Sequence, residues 1–275
     1  HWSIYGGYSE ANRAPTPAEF SCAGANTSCT LTNFFVADPD LNQVVAQNAE
    51  AGLRGARDFP GFAALRWHVD FFRSDLHDDI QFVASQIVGR GFFENVGATR
   101  REGAEFSLDA AGDIWSLSLN YSFTNATFRL PLILNSPENP SADVNGQIAV
   151  MPGDRLPGIP AHLGKVIVDT HVTADLDVSI ALRAASGVYL RGDEANLNPK
   201  IPGYAVADLG ARYRLSDRLT LFGSISNLFD TRYATLGAFS PTGDVPLTEA
   251  PGATNPRSLS PAPPRWLSAG VTASF

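Results

Sequence analysis

At 275 residues, with a formal net charge of -8 and 17% charged and 10% aromatic residues, the chain is long enough for one large β domain. It lacks the clustered Lys and Arg that would grip a nucleic-acid backbone. Its 24 Gly and 19 Pro suit many short strands joined by turns and argue against a helical bundle. No run of about 18 apolar residues is present, which excludes a membrane-spanning helix. A mean hydropathy of -0.06 still leaves a transmembrane barrel open, because barrel strands show lipid only at every second residue.

The chain opens on His1 with no charged segment leading into an apolar one, so no secretory leader is read and processing or truncation is expected to have set this start. Residues 11–47 are polar and read as a long loop. The two cysteines, Cys22 and Cys29, fall within it among Ala, Asn, Ser and Thr. A local disulfide is the expected reading, with metal or free thiols as the alternatives; zinc would need further Cys or His ligands, and the segment has none. Such a bridge would imply an oxidising compartment and contribute roughly 2–3 kcal/mol, enough to order one loop.

Strand patterning begins at 65–71, where Arg66, His68 and Asp70 take the polar face. It is clearest at 115–124: Trp115, Leu117, Leu119, Tyr121 and Phe123 share one face, and Ser116, Ser118, Asn120, Ser122 and Thr124 share the other. Aromatic residues lie near both ends of the apolar face, as expected where a strand crosses two membrane–water interfaces. Val178, Ile180, Leu182 and Ala184 alternate with Ser179, Ala181 and Arg183, and 205–213 sets Asp208, Gly210 and Arg212 on its polar side. Leu219, Leu221, Gly223 and Ile225 alternate with Thr220, Phe222, Ser224 and Ser226. The last segment sets Leu267, Ala269, Val271, Ala273 and Phe275 against Trp266, Ser268, Gly270, Thr272 and Ser274.

Connections alternate in length. Turns near Asp58, Asp109, Thr173 and Leu215 are short, whereas 11–47, 85–95, 128–157, 191–200 and 230–264 are long and rich in Pro, Gly and Asn. About ten strands in an up-and-down antiparallel meander with two unlike ends are expected, with short turns periplasmic and structureless long loops extracellular, as in outer-membrane barrels of Gram-negative bacteria.

No catalytic, cofactor or metal site is expected. The nucleophile elbow, the metalloprotease helix motif and the phosphate-binding glycine loop are absent. Asp75, His77, Asp78 and Asp79 could suggest a metal or acid–base cluster, but read as a polar network at a strand end. His68, His162 and His171 are scattered without ligand spacing and read as lumenal or interfacial packing. In the long loops Phe34, Phe35, Tyr189, Arg191, Tyr233, Phe239 and Arg257 are candidates for contacting an extracellular small-molecule ligand. A passive pore or structural barrel is the competing function, and a rim protease a more distant one.

Several strings together resemble TonB-dependent outer-membrane receptors. They are Arg13-Ala14-Pro15 followed by Glu19-Phe20 and the cysteine pair; Glu50 with Gly52-Leu53-Arg54-Gly55; DFFRSDLHDDIQFV from Asp70; GATRREGAEFSL from Gly97; GDRLPGIPAH from Gly153; and SNLFDTRY from Ser226. The resemblance spans nearly the whole chain, so residues 1–275 read as the C-terminal portion of such a barrel. It implies a wall of about 22 strands around a plug, with TonB-dependent uptake of ferric siderophores, cobalamin, sugars or other scarce nutrients. The plug, the TonB-contacting segment and the first part of the barrel are not in this sequence. The alternating terminal strand ending on Phe275 resembles the signal read by the barrel assembly machinery. Outer-membrane lipid and lipopolysaccharide are the remaining implied partners.

Overall fold

The computed structural model describes residues 1–23, 41–60, 63–87, 90–242, 248 and 251–274. β1 (Trp2–Arg13) leads through α1 (Pro17–Ser21) to β2 (Val44–Phe59) and β3 (Ala63–His77). There follow β4 (Ile80–Ala84), β5 (Gly91–Asn95), β6 (Thr99–Ala111), β7 (Trp115–Phe128), β8 (Leu132–Asn135), β9 (Gln147–Val150), β10 (His162–His171) and β11 (Leu176–Ala185). The chain then runs through β12 (Tyr204–Ser216), β13 (Leu219–Ser226), β14 (Ala234–Phe239), β15 (Arg257–Pro261) and β16 (Trp266–Ala273).

Ten of these strands form one antiparallel sheet in the order β1-β2-β3-β6-β7-β10-β11-β12-β13-β16. The sheet does not close: β1 and β16 are its two edges. Short connections at 60–62, 112–114, 172–175 and 217–218 lie at one end of the meander, and long ones at 14–43, 78–98, 129–161, 186–203 and 227–265 at the other. The expected all-β meander of ten strands is what the chain forms.

Register turns strand-by-strand alternation into a surface. Leu65 pairs with Ala110, Ala110 with Leu117, Leu117 with Val168, Val168 with Ile180, Ile180 with Leu209, Leu209 with Ile225 and Ile225 with Leu267. Eight consecutive strands of the sheet thus show an unbroken apolar line, and a one-residue slip of any strand would exchange its two faces. Much of this line is left open by the protein: Val168 is 36%, Ile180 49% and Leu267 71% exposed, although Ala110 is buried. A wall one sheet thick has no interior, so this band requires an apolar surrounding medium. The opposite face is polar; one of its lines runs His68, Ser107, Asn120, Lys165, Arg183.

The buried core lies instead at the long-connection end. Three of those connections carry hairpins, β4–β5, β8–β9 and β14–β15, which corrects the expectation of loops without structure of their own. Val83, Phe92, Leu134, Ile148, Val150 and Leu156 pack on Ala126 and Phe128 at the top of β7. Phe128 and Val150 have no exposed surface, and each such side chain stabilises by roughly 1.5–3 kcal/mol. Leu132 and Leu134 alternate with the exposed Ile133, so these strands obey the same period of two around a different core.

Candidate functional site

The connections above the wall hold each other through buried polar contacts. Asp193 is fully buried. Its carboxylate accepts from the Leu197 and Asn198 backbone N–H groups, both at 3.0 Å, and from Asn198 Nδ2 at 2.9 Å and Asn139 Nδ2 at 3.3 Å. Asn139 Nδ2 also donates to the Gly192 carbonyl at 2.6 Å, and Asn198 Nδ2 to Asn139 Oδ1 at 2.9 Å. A buried carboxylate is tolerable here because its lone pairs are filled by donors. Connection 129–161 is thereby fastened to 186–203. Sequence reading missed Asp193, Asn139 and Asn198; the polar Asn196-Leu197-Asn198 stretch was the one local signal, and it names no distant partner.

Beside this latch, burial pushes the Glu194 carboxyl above its ordinary range, with Asp193 adding to the shift, while the Gly192 N–H and Arg191 oppose it. On β5, burial likewise pushes the Glu94 carboxyl up.

Alternation along 188–191 sorts the predicted loop residues. Val188 and Leu190 are buried with Ile201, and Phe239 and Ala234 pack against them. Tyr189 and Arg191 therefore take the open face, where Lys200 joins them with Nζ 4.7 Å from the Tyr189 ring centroid. Arg191 is bonded through its backbone to Gly237 and Phe239. Arg257 pairs with Phe239 and donates from Nη1 to the Pro199 carbonyl at 2.8 Å and from Nη2 to that of Lys200 at 3.4 Å. The Tyr233 ring lies tilted against that of Tyr204, at the start of β12, with centroids 4.3 Å apart. Tyr189, Arg191, Phe239 and Arg257 thus come together, with Phe239 turned into the cluster's interior and Tyr233 at the strand end below. Phe34, Phe35, Cys29 and Phe275 lie outside the described residues; Cys22 follows α1.

The acidic run does not converge. Asp75 sits on the face of the apolar band, above it, between Arg73 (2.8 Å) and Arg100 (2.5 Å). Asp79 is buried, accepting from Thr99 Oγ1 at 2.7 Å and Arg101 Nη2 at 3.2 Å. Asp78 turns the chain at φ 54°. No metal-holding group of three occurs among the described residues. His68 meets Ser107 Oγ on the polar face, His162 meets Tyr121 Oη at 2.8 Å near Phe123 on the apolar face, and His171 meets Asp177 near a short turn.

Other strings that carry the resemblance prove architectural as well. Thr16 and Glu19 cap α1 reciprocally, and Arg13 holds Glu19 at 2.7 Å. In the SNLFD string Asn227 and Asp230 take positive φ. Asn227 is tied to Thr231 through its side chain and to Asp208 through its N–H, while Arg183 holds the other Asp208 oxygen at 2.8 Å.

Residues 1–228 match the family described as TonB dependent receptor-like, beta-barrel. The ferric enterobactin receptor of Pseudomonas aeruginosa is 27% identical over 233 residues, which cover 77% of this chain and 27% of that protein. Among solved structures, the siderophore receptor PiuA of Acinetobacter baumannii superposes with a TM-score of 0.65 at 20% identity, over 99% of this chain and 34% of its own. The copper transporter OprC superposes with a TM-score of 0.67 at 18% identity, over 100% and 37%. The chain spans about a quarter to a third of the length of these relatives, and the structural likeness shows the shared fold alone. With the sequence match, the unclosed ten-stranded wall and its unbroken apolar band, the chain belongs to the TonB-dependent receptor family, in its β-barrel domain.

Proposed function

We propose that these residues form wall and extracellular loops of an outer-membrane receptor that takes up a ferric siderophore, driven by TonB through a plug held against the polar face. The register-built apolar band carries this reading, since it fits a wall with lipid on one side and a polar lumen on the other. The curated relative's ferric enterobactin narrows the cargo towards iron chelates and away from cobalamin. Closure by further strands is required, because the free edges of β1 and β16 would leave backbone groups unpaired in hydrocarbon at several kcal/mol each. That requirement also disfavours an autonomous passive pore made of these strands alone. No bond-making chemistry is assigned to the protein.

In this reading the long connections face the medium and the short turns the periplasm. The band meets lipid and, at its loop end, lipopolysaccharide. Uptake of ⁵⁵Fe-chelates by iron-starved cells tests the function: accumulation should require both this receptor and TonB, and undiminished uptake without TonB would overturn it. We also propose that Phe275 is read by the barrel assembly machinery, so its deletion should lower the folded, heat-modifiable fraction of the receptor; full assembly without it sinks the idea. Cys22 and Cys29 are proposed to pair, and free-thiol labelling of the unreduced, unfolded receptor at both positions would refute it.

A further inference from the structure

We infer that Asn145, in the Asn145-Gly146 pair that leads into β9 of the β8–β9 hairpin, is a site of spontaneous deamidation that the fold holds back through Asp143. The inference is independent of the cargo, since it concerns a reaction of the chain with water. Asn145-Gly146 is the one Asn-Gly pair in the sequence. In the reaction the Gly146 nitrogen attacks Asn145 Cγ, the Cγ–Nδ2 bond breaks, and the Gly146 amide proton leaves with that nitrogen as ammonia. Water then opens the succinimide to aspartate or isoaspartate. A following glycine favours the attack because no Cβ screens its nitrogen. Asn139, Asn198 and Asn255 instead precede proline, whose nitrogen has no proton to give up.

The fold requires the glycine that makes this asparagine reactive. Gly146 takes a φ of 69°, in the left-handed region that favours glycine, and an added Cβ would lie 3.0 Å from Pro137 Cα. The pair is also open to solvent: Asn145 is exposed and the preceding Val144 fully so. Burial therefore gives no protection, and any restraint has to come from hydrogen bonds within the turn.

Asp143 supplies that restraint. Its Oδ1 accepts from the Asn145 N–H at 2.8 Å and from the Gln147 N–H at 2.9 Å, so the reacting link is bracketed by two bonds to one carboxylate. The Gly146 N–H, on the attacking nitrogen, donates to the Asp143 carbonyl at 3.0 Å. Asn145 Nδ2 lies 3.5 Å from Asp143 Oδ2, so the side-chain amide leans back towards residue 143 rather than forward over Gly146. Outside the turn, Gln86 Nε2 donates to the Asn145 carbonyl at 3.0 Å and the Ser136 N–H to the Gly146 carbonyl at 2.8 Å. Cyclisation therefore waits on local opening of the turn, and its rate reads how often the turn is open. Isoaspartate would add a carbon to the backbone at residue 145 and put these contacts out of register, including the one from Gln86 in connection 78–98.

The test incubates the intact purified receptor in detergent at mildly alkaline pH and reads aspartyl and isoaspartyl products at residue 145 by peptide-mapping mass spectrometry. A synthetic peptide of residues 140–150 serves as the unfolded reference. The folded wild type should deamidate at Asn145 at least about tenfold more slowly than the peptide. Asp143→Ala should bring the rate to within about threefold of the peptide's, whereas Asp143→Asn, which keeps an acceptor oxygen, should stay slow. Heat-modifiable mobility confirms that each variant is folded. Wild type reacting at the peptide's rate overturns the inference without need of a variant. A folded Asp143→Ala receptor as slow as the wild type overturns the role of Asp143, and a peptide that does not deamidate over the same period overturns the site.

Discussion

Asn139, in the connection between β7 and β10, donates from Nδ2 to Asp193, in the connection between β11 and β12, across 3.3 Å in a fully buried setting. Two connections that leave the wall on different strand pairs are thereby made into one body. Asp193→Ala strands buried donors of Asn139 and Asn198 and should lower the local stability of 186–203 by about 3 kcal/mol. The expected readout is faster amide exchange and protease cutting there, with the wall's heat-modifiable mobility retained. Protection as strong as in the wild type would show that the latch does not hold the loops.

The raised pKa of Glu194 gives these loops a signed pH dependence. A carboxyl whose folded pKa lies above its unfolded value binds more protons folded than unfolded as pH rises from the ordinary carboxylate range to the folded pKa. Its stabilising contribution is full below that range and is lost as pH climbs through the folded pKa. Amide protection of 186–203 should therefore be greater at mildly acidic than at neutral pH, and Glu194→Gln should flatten the difference while keeping an acceptor for the Gly192 N–H. An unflattened profile would assign the effect to another group.

Membrane orientation is testable with neighbouring positions. Ile180 belongs to the apolar line and Ser179 to the opposite face. Ile180→Arg should destabilise the folded receptor by roughly 2–4 kcal/mol in lipid vesicles, as for a cation at mid-bilayer, and Ser179→Arg by far less. Equal effects would contradict a lipid side and a lumenal side.

At Gly103 an added Cβ would collide with the Phe123 carbonyl of the adjoining strand, and backbone cannot yield as a flexible side chain can. Gly164, on β10, has open space at the same place. Gly103→Ala should reduce the folded fraction in urea titration by a shift of the midpoint, while Gly164→Ala leaves it within error. Coincident midpoints would mean that β6 and β7 separate enough to admit the methyl group.

The wall was legible from sequence because its determinant is local. In a strand bounded by two media, every second residue answers to lipid, so the period appears within the segment, as at 115–124. Connection lengths fixed the meander equally well, because antiparallel neighbours need only short turns at one end. What tertiary structure alone decided is the registry that aligns eight apolar residues into one line, and the layer above the wall. Polar, Gly-rich connections looked unstructured, yet their few apolar residues, Val83, Phe92, Leu134, Ile148 and Val150, find each other across long stretches of chain. The same holds for Asn139 with Asp193 and for Lys200 with Tyr189. Such pairings pass no periodic signal through the intervening residues; they exist because separate connections are brought to one end of a single sheet, and only the folded chain places them together.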